Sequence, residues 1–101
     1  MADHDLVHST VDGIRAAATE KQRIRFRATV RSLTNGYSGR YKALIVLLEV
    51  EPGTHVRVTC ARSARLARTG VGAQVDVACT LTGMLDLTGN TFVAEHAREL
   101  G

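Results

Sequence analysis

Hydrophobic and polar residues alternate with a period of two along residues 23–33, which is typical of a half-buried β-strand. The apolar positions of this segment are Ile24, Phe26, Ala28 and Val30. The positions between them are Arg23, Arg25, Arg27, Thr29 and Arg31. Because successive side chains of a strand point to opposite faces, the pattern predicts one face against a core and one face bearing a row of guanidinium groups.

Three later segments show the same alternation and predict strands over residues 55–61, 73–81 and 91–98. Their predicted inward residues are Val56, Val58, Cys60, Val75, Val77, Cys79, Leu81, Phe92, Ala94 and His96. Residues 41–51 form another predicted strand, but their middle is continuously apolar. A strand of that kind needs cover on both faces. We expect the second cover to be the N-terminal helix or a second copy of the chain.

Two helices and three turns are predicted in addition to these strands. Apolar residues at helical spacing, Val7, Val11, Ile14 and Ala18, predict a helix over residues 5–18, with Ser9 or Asp5 as its cap. This segment is either a mobile lead-in or a helix that docks on the rest of the chain or on a partner. A second short helix is predicted over residues 62–68, ended by Gly70 or Gly72. The predicted turns lie at residues 34–40 with Asn35-Gly36 as the turn signal, at residues 51–54, and at residues 83–90 with Met84, Leu85 and Leu87 near the tip.

The order of elements, three strands, a short helix and two strands, is that of a five-stranded OB-fold barrel. We therefore predict an all-β fold with one or two short helices. The expected organisation is an N-terminal helical lead-in over residues 1–20 and an OB-fold domain over residues 21–101.

Residues 55–101 resemble the second half of the bacterial single-stranded-DNA-binding protein family. The resemblance lies in the strand Val56-Arg57-Val58-Thr59, the alanine-rich connection at residues 62–67, the segment Gly72-Ala73-Gln74-Val75-Asp76-Val77, and the ending over residues 92–101. Residues 23–51 fit the first half more loosely. The resemblance implies single-stranded nucleic-acid binding, DNA in the first place, with an accessory role in DNA replication, repair or transfer.

The chain departs from that family in two respects. Family members carry aromatic residues on the binding strands, whereas this chain has no Trp and its two Phe residues are predicted to face inward. They also carry a disordered acidic tail, whereas this sequence stops just after the fifth predicted strand. The chain therefore resembles a short, tailless relative more than a general protector of single strands.

Charge is distributed unevenly along the chain. The formal net charge is only +3, but residues 23–68 contain ten Lys and Arg against Glu49 and Glu51. The acidic residues outside this segment are Asp3, Asp5, Asp12, Glu20, Asp76, Asp86, Glu95 and Glu99. Such an asymmetry predicts a basic binding surface on an otherwise neutral body.

Nucleic-acid binding needs positive charge along a path and flat side chains on which bases stack. The candidate residues are Arg23, Arg25, Arg27, Arg31, Tyr37, Arg40, Tyr41, Lys42 and Arg57. The expected partner is single-stranded DNA or RNA. The alternative role for Tyr37 and Tyr41 is a contact that staples the loop, and the alternative for the arginines is an ordinary solvated face.

A protein-interaction adaptor is the second candidate function, because OB barrels also serve as rigid binding modules. Outward Ile45 and Leu47 with the tip residues Leu85 and Leu87 would form its interface, and the basic strand would meet an acidic protein. In either case the two-sided apolar strand predicts a homodimer or a larger assembly.

An enzymatic function is not expected. Cys60 and Cys79 occupy predicted core positions, no phosphate-cradling glycine motif is present, and His4 and His8 lack a third metal ligand. We therefore expect no catalytic residue, metal or cofactor. No apolar run reaches the length of a membrane helix and the first residues lack the pattern of a signal peptide, so we expect a cytoplasmic protein without a membrane partner.

Overall fold

The computed structural model describes residues 2–85 and 90–101, and it shows a closed five-stranded barrel in the order β1-β2-β3-β5-β4. The strands are β1 (Arg23–Ser38), β2 (Tyr41–Glu51), β3 (Thr54–Ala61), β4 (Gln74–Met84) and β5 (Thr91–Glu99). Neighbouring strands are antiparallel except β3 and β5, which run parallel. This confirms the predicted all-β fold and the OB barrel.

The alternation predicted for β1 is confirmed, because Ile24, Phe26, Ala28 and Val30 are all buried. The predicted inward residues of β3 and β4 are buried as well, including both cysteines, which are free thiols. Ala78, which the alternation places outside, is nevertheless buried, since it lies opposite Arg25 on the face that the N-terminal segment covers. The core thus runs through the barrel.

Strand β1 is longer than predicted because the Asn35-Gly36 pair does not make a turn. These residues pair with Leu44 and Ala43 of β2, and the hairpin turns instead at Gly39-Arg40, where Gly39 has a φ of 61°. A Cβ on Gly36 would lie 2.6 Å from Cδ1 of Ile45. Gly36 therefore leaves room for a neighbouring side chain, which explains a glycine in the middle of a strand.

The N-terminal helix, α1 (Val11–Glu20), starts later than predicted, after a 3₁₀ turn at Asp3–Asp5. Thr10 caps it by accepting a hydrogen bond from the Gly13 N–H, so the predicted cap was wrong. Val7 is 83% exposed and lies outside the helix. Helix α1 packs against β1, β4 and β5, and its Ile14, Ala17 and Ala18 are part of the core. It is therefore docked on the barrel.

The connection between β3 and β4 contains only a 3₁₀ turn, Leu66–Arg68, where a short helix was predicted. Two backbone hydrogen bonds close successive tight turns in it, one from Ala64 N–H to Ala61 O and one from Ala67 N–H to Ala64 O. Leu66 is the buried anchor, and Thr69 Oγ1 donates to Leu66 O at 2.7 Å. One buried residue provides too little packing to support a full helix, whose first turn is costly to form.

Strands β4 and β5 also differ from the prediction. β4 continues through Gly83 and Met84, which were placed in a loop, and Leu85 follows it. Leu87 lies outside the described residues. In β5, Phe92 and Ala94 face inward as predicted, but His96 does not, because a register shift against β4 makes a β-bulge there. His96 has a φ of 55° and is exposed, and Ala97 packs against the core in its place.

The second strand has its predicted parity, since Val46 and Leu48 are buried while Ile45 and Leu47 lie on the outer face, half-buried. Helix α1 does not provide the expected second cover, because it packs on β1, β4 and β5. Among residues 2–85 and 90–101, no helix is both long and apolar enough to cross a membrane.

Candidate nucleic-acid interface

Three of the four arginines on β1 pair with carboxylates, so the expectation of an open row of guanidinium groups was wrong. Arg23 donates from Nε and Nη2 to the two oxygens of Asp3, each at 2.7 Å. Arg31 donates from Nε and Nη2 to Glu49 Oε1 at 3.0 and 2.5 Å. Such pairs, bidentate at Asp3 and through a single oxygen at Glu49, hold a guanidinium in one orientation, so a phosphate would have to displace the carboxylate.

Arg25 is the most enclosed of these arginines, with 17% of its side chain exposed. It donates to both oxygens of Asp76, at 2.9 and 2.6 Å, and to the carbonyls of His4 and Leu6. His8 Nε2 lies 3.1 Å from Asp76 Oδ2. Arg25 therefore holds the N-terminal segment against the barrel. The hydrogen bonds from Arg25, more than the one from His8, lower the pKa of Asp76 to about 2.

The same cause acts on the other two pairs. The hydrogen bonds from Arg23 lower the pKa of Asp3, and those from Arg31 lower the pKa of Glu49, with a smaller contribution from His55 at 3.3 Å. Each carboxylate is thus held in its charged form by its arginine. This arrangement cancels most of the positive charge that the sequence of β1 displays.

Arg27 is exposed and has no ion pair among the described residues, yet its surroundings are acidic. It lines an open cavity of about 580 Å³ together with Glu49, Asp76 and Glu99. These carboxylates already pair with Arg31, Arg25 and Arg65. The cavity thus offers a polyanion a single unpaired guanidinium, beside three carboxylates whose charges are neutralised by arginines outside its lining.

Exposed positive charge without carboxylate partners among the described residues remains on the β1–β2 hairpin. Tyr37 and Tyr41 are 70% and 80% exposed, and Arg40 and Lys42 are exposed as well. In the described part of the chain, neither cation has an ion-pair partner. Tyr37 pairs with Lys42 in the register and Ser38 with Tyr41. The hairpin tip therefore presents one ring on each face, with Lys42 opposite Tyr37 in the register and Arg40 next to Tyr41 in the chain.

The outer face of β2 and β3 continues from the Tyr41 side of this hairpin. Alternation places Tyr41, Ile45 and Leu47 on that face. Arg57 lies opposite Leu47 on β3, is half-buried, and has no ion pair with any residue in the described ranges. This face thus provides an apolar floor with a cation on it, in the region where OB barrels bind oligonucleotides.

Two further residues, Arg62 and His96, belong to this region, although neither was among the candidate residues taken from the sequence. Arg62 Nη2 donates to Asn35 Oδ1 at 2.6 Å, which brings an exposed cation to the base of the hairpin. The bulge at His96 turns that side chain toward a cleft of about 310 Å³. The cleft is lined by Tyr37, Ser38, Thr59, Thr82, Val93, Ala94, Glu95 and His96.

Other chemistries find less support in the described residues. Burial raises the pKa of Cys79 to about 12 and also raises the pKa of Cys60, so both thiols are held protonated. No group of three or more His, Cys, Asp or Glu residues within the described ranges could hold a metal ion. His8, one of the two histidines with metal-ligand spacing, contacts Asp76.

No protein-family model and no curated protein sequence matches the chain. A similar fold occurs in a crystal structure from Klebsiella pneumoniae subsp. pneumoniae, of a lipoprotein for which nucleic-acid binding has been suggested. The two structures superpose with a TM-score of 0.73 and 11% sequence identity, over 97% of this chain and 94% of the other. At that identity the likeness establishes a shared fold.

Proposed function

We propose that this protein binds single-stranded nucleic acid, with DNA as the first candidate, through the β1–β2 hairpin and the outer face of β2 and β3. The observation that carries the proposal is the pair of exposed tyrosines at the hairpin tip, each beside a cation without a carboxylate partner in the described chain. Tyrosines exposed to this degree add nothing to the core, whereas bases stack on such rings with about 1–3 kcal/mol per base. The suggested nucleic-acid binding of the structural neighbour supports the same proposal.

The proposed interface is narrower than the sequence suggested. Its cations are Arg40, Lys42, Arg57 and Arg62, and its stacking residues are Tyr37 and Tyr41. Arg23, Arg25 and Arg31 contribute to the barrel through their carboxylate pairs. Arg27 lies apart from the interface, in the acidic cavity.

Single strands suit this surface better than duplexes. Bases must be unstacked from their neighbours to lie on a tyrosine ring, and in a duplex they are not available for this. Four cations neutralise about four phosphates, and each contributes about 0.7 to the salt slope for a single strand. The logarithm of the affinity should therefore fall against the logarithm of salt concentration with a slope of about −3.

The test is fluorescence anisotropy with labelled single-stranded DNA, single-stranded RNA and duplex DNA of equal length across a salt series. We expect binding of the single strands with the slope given above and weaker binding of the duplex. A flat salt response would remove the electrostatic contribution, and equal binding of the duplex would remove the role of base stacking.

A protein-interaction adaptor is the second candidate, and the ion pairs of β1 favour it. They neutralise three of the four arginines of β1, while Ile45 and Leu47 offer an apolar surface on β2. The same surface would serve a homodimer. Light scattering at tens of micromolar tests self-association, and a partner that stays bound when excess single-stranded oligonucleotide is added would favour the adaptor.

A further inference from the structure

A cleft opens beside the hairpin, between Tyr37 and the bulge of β5. The last register pair between β3 and β5 joins Val58 to Ala94, so beyond it the two strands are no longer paired. The opening of about 310 Å³ is at the small end of the range for ligand pockets, which starts at about 300 Å³. It has room for a single flat group.

The bulge fixes the far wall of this cleft. His96 has a φ of 55°, an uncommon conformation for a residue other than glycine, and its side chain is 77% exposed. Arg23 Nη1 donates to His96 O at 3.0 Å, and the same guanidinium is held by Asp3. This hydrogen bond fixes the strained residue to β1. β-bulges near binding sites redirect side chains in this manner.

The lining has the chemistry of a base pocket. Tyr37 and His96 provide flat rings on which a nucleobase stacks, and Thr59 provides a hydroxyl that both donates and accepts. Glu95, also in the lining, accepts hydrogen bonds from amino and imino N–H groups of a base but repels a phosphate. This lining therefore suits a base better than a phosphate.

We propose that this cleft receives one unstacked base of the bound strand, between Tyr37 and His96. The inference rests on the proposed function, since it names a base subsite within that interface. It adds His96 and Glu95 to the binding residues and gives the bulge of β5 a role in binding.

Tyrosine emission tests the subsite directly. The chain has two Tyr and no Trp, so the Tyr41→Phe variant reports on Tyr37 alone. We expect a single-stranded oligonucleotide to quench this emission, because a base stacks on the ring. An oligonucleotide of equal length with abasic positions, which has the same phosphates and no bases there, should leave the emission unchanged.

His96→Asn tests the opposite wall. Asn tolerates the left-handed backbone conformation and removes the imidazole ring, and His4→Asn is the matched control at another exposed histidine. We expect His96→Asn to weaken single-strand binding about five- to tenfold, the loss of a stacking partner, and His4→Asn to have no effect. The subsite is refuted if the intact and the abasic oligonucleotides have the same effect on Tyr37 emission, or if His96→Asn binds single strands like the wild type. Either result would leave single-strand binding itself in place. If the wild type binds no single strand, the proposed function and the subsite both fail.

Discussion

The Arg23 guanidinium donates to both carboxylate oxygens of Asp3, with Nε–Oδ1 and Nη2–Oδ2 distances of 2.7 Å. Its third nitrogen donates to Thr80 Oγ1 and to His96 O. One side chain of β1 thus joins the N-terminal 3₁₀ turn, β4 and the bulge of β5. Arg23 supports the barrel, and its charge is neutralised within the fold.

Substitution of Arg25 and of Arg27 should change stability to different extents, although both occupy outward positions in the alternation of β1. Arg25→Ala removes the bidentate pair with Asp76 and the hydrogen bonds to the carbonyls of His4 and Leu6, so we expect a clear fall in Tm. Arg27→Ala removes an exposed side chain without a described ion pair, so its free energy of unfolding should stay within about 0.5 kcal/mol of the wild type. Thermal unfolding followed by circular dichroism measures both. Equal Tm values would show that the Arg25 contacts add nothing to stability.

Acid should destabilise the protein through Asp76. Its pKa in the folded chain is about 2, below its ordinary value of 3.8, because Arg25 and His8 hydrogen-bond to the carboxylate. A lowered folded pKa contributes stability that is fully present above the ordinary value and is lost as the pH falls through the folded one. The contribution should therefore disappear between about pH 4 and pH 2.

Asp76→Asn is the control for this effect, because its side chain does not titrate. The difference in unfolding free energy between wild type and Asp76→Asn should be largest above about pH 4 and should shrink toward pH 2. Urea unfolding at several pH values measures it. A difference that stays constant across this range would mean that Asp76 is not stabilised in its charged form.

Helix α1 should be needed for the stability of the barrel, because Ile14 is fully buried in the shared core. Ile14→Ala should lower the free energy of unfolding by about 2–4 kcal/mol, through lost burial and the cavity left behind. Val7→Ala is the matched control, since Val7 is 83% exposed and should change stability by less than about 0.5 kcal/mol. Chemical denaturation measures both, and a small loss for Ile14→Ala would make residues 1–20 a separable lead-in.

Gly36 and Ile45 should be energetically coupled. A Cβ on Gly36 would lie 2.6 Å from Ile45 Cδ1 and 2.8 Å from its Cγ1, so Gly36→Ala forces the Ile45 side chain to move. We expect a loss of about 1 kcal/mol, the cost of an unfavourable rotamer. In an Ile45→Ala background the same substitution should cost nothing, and a double-mutant cycle measures the coupling. Additive effects would show that Ile45 moves aside without cost.

The alternation of residues in β1, β3 and β4 predicted which side chains fill the core, because a period of two is a local property of the chain. The partners of the arginines could not be found in this way. Asp3 lies 20 residues before Arg23 and Asp76 lies 51 residues after Arg25. In the sequence these carboxylates lie in acidic flanks apart from the basic segment, whereas the closed barrel brings both against it.

The alternation pattern did not predict the bulge at His96 either, for a different reason. Strict alternation assigns His96 to the interior after Phe92 and Ala94, but one extra residue in β5 reverses the parity. The neighbouring Val93 is apolar at an outward position, which departs from strict alternation in β5. The Asn35-Gly36 pair predicted a turn that the structure does not have there. This glycine lies within a strand and leaves room for the Ile45 side chain.

Reversing the charge at the hairpin tip should weaken nucleic-acid binding more than the same change elsewhere. Arg40→Glu with Lys42→Glu removes two of the proposed phosphate contacts, so the salt slope should become shallower by about 1.4. Arg68→Glu with Arg98→Glu is the matched control, since it alters the net charge equally at two exposed cations outside the proposed interface. Both variants should fold, because none of these four side chains has an ion pair within the described residues. Anisotropy across a salt series measures the slopes, and equal losses in the two variants would mean that total charge, rather than the hairpin, attracts the strand.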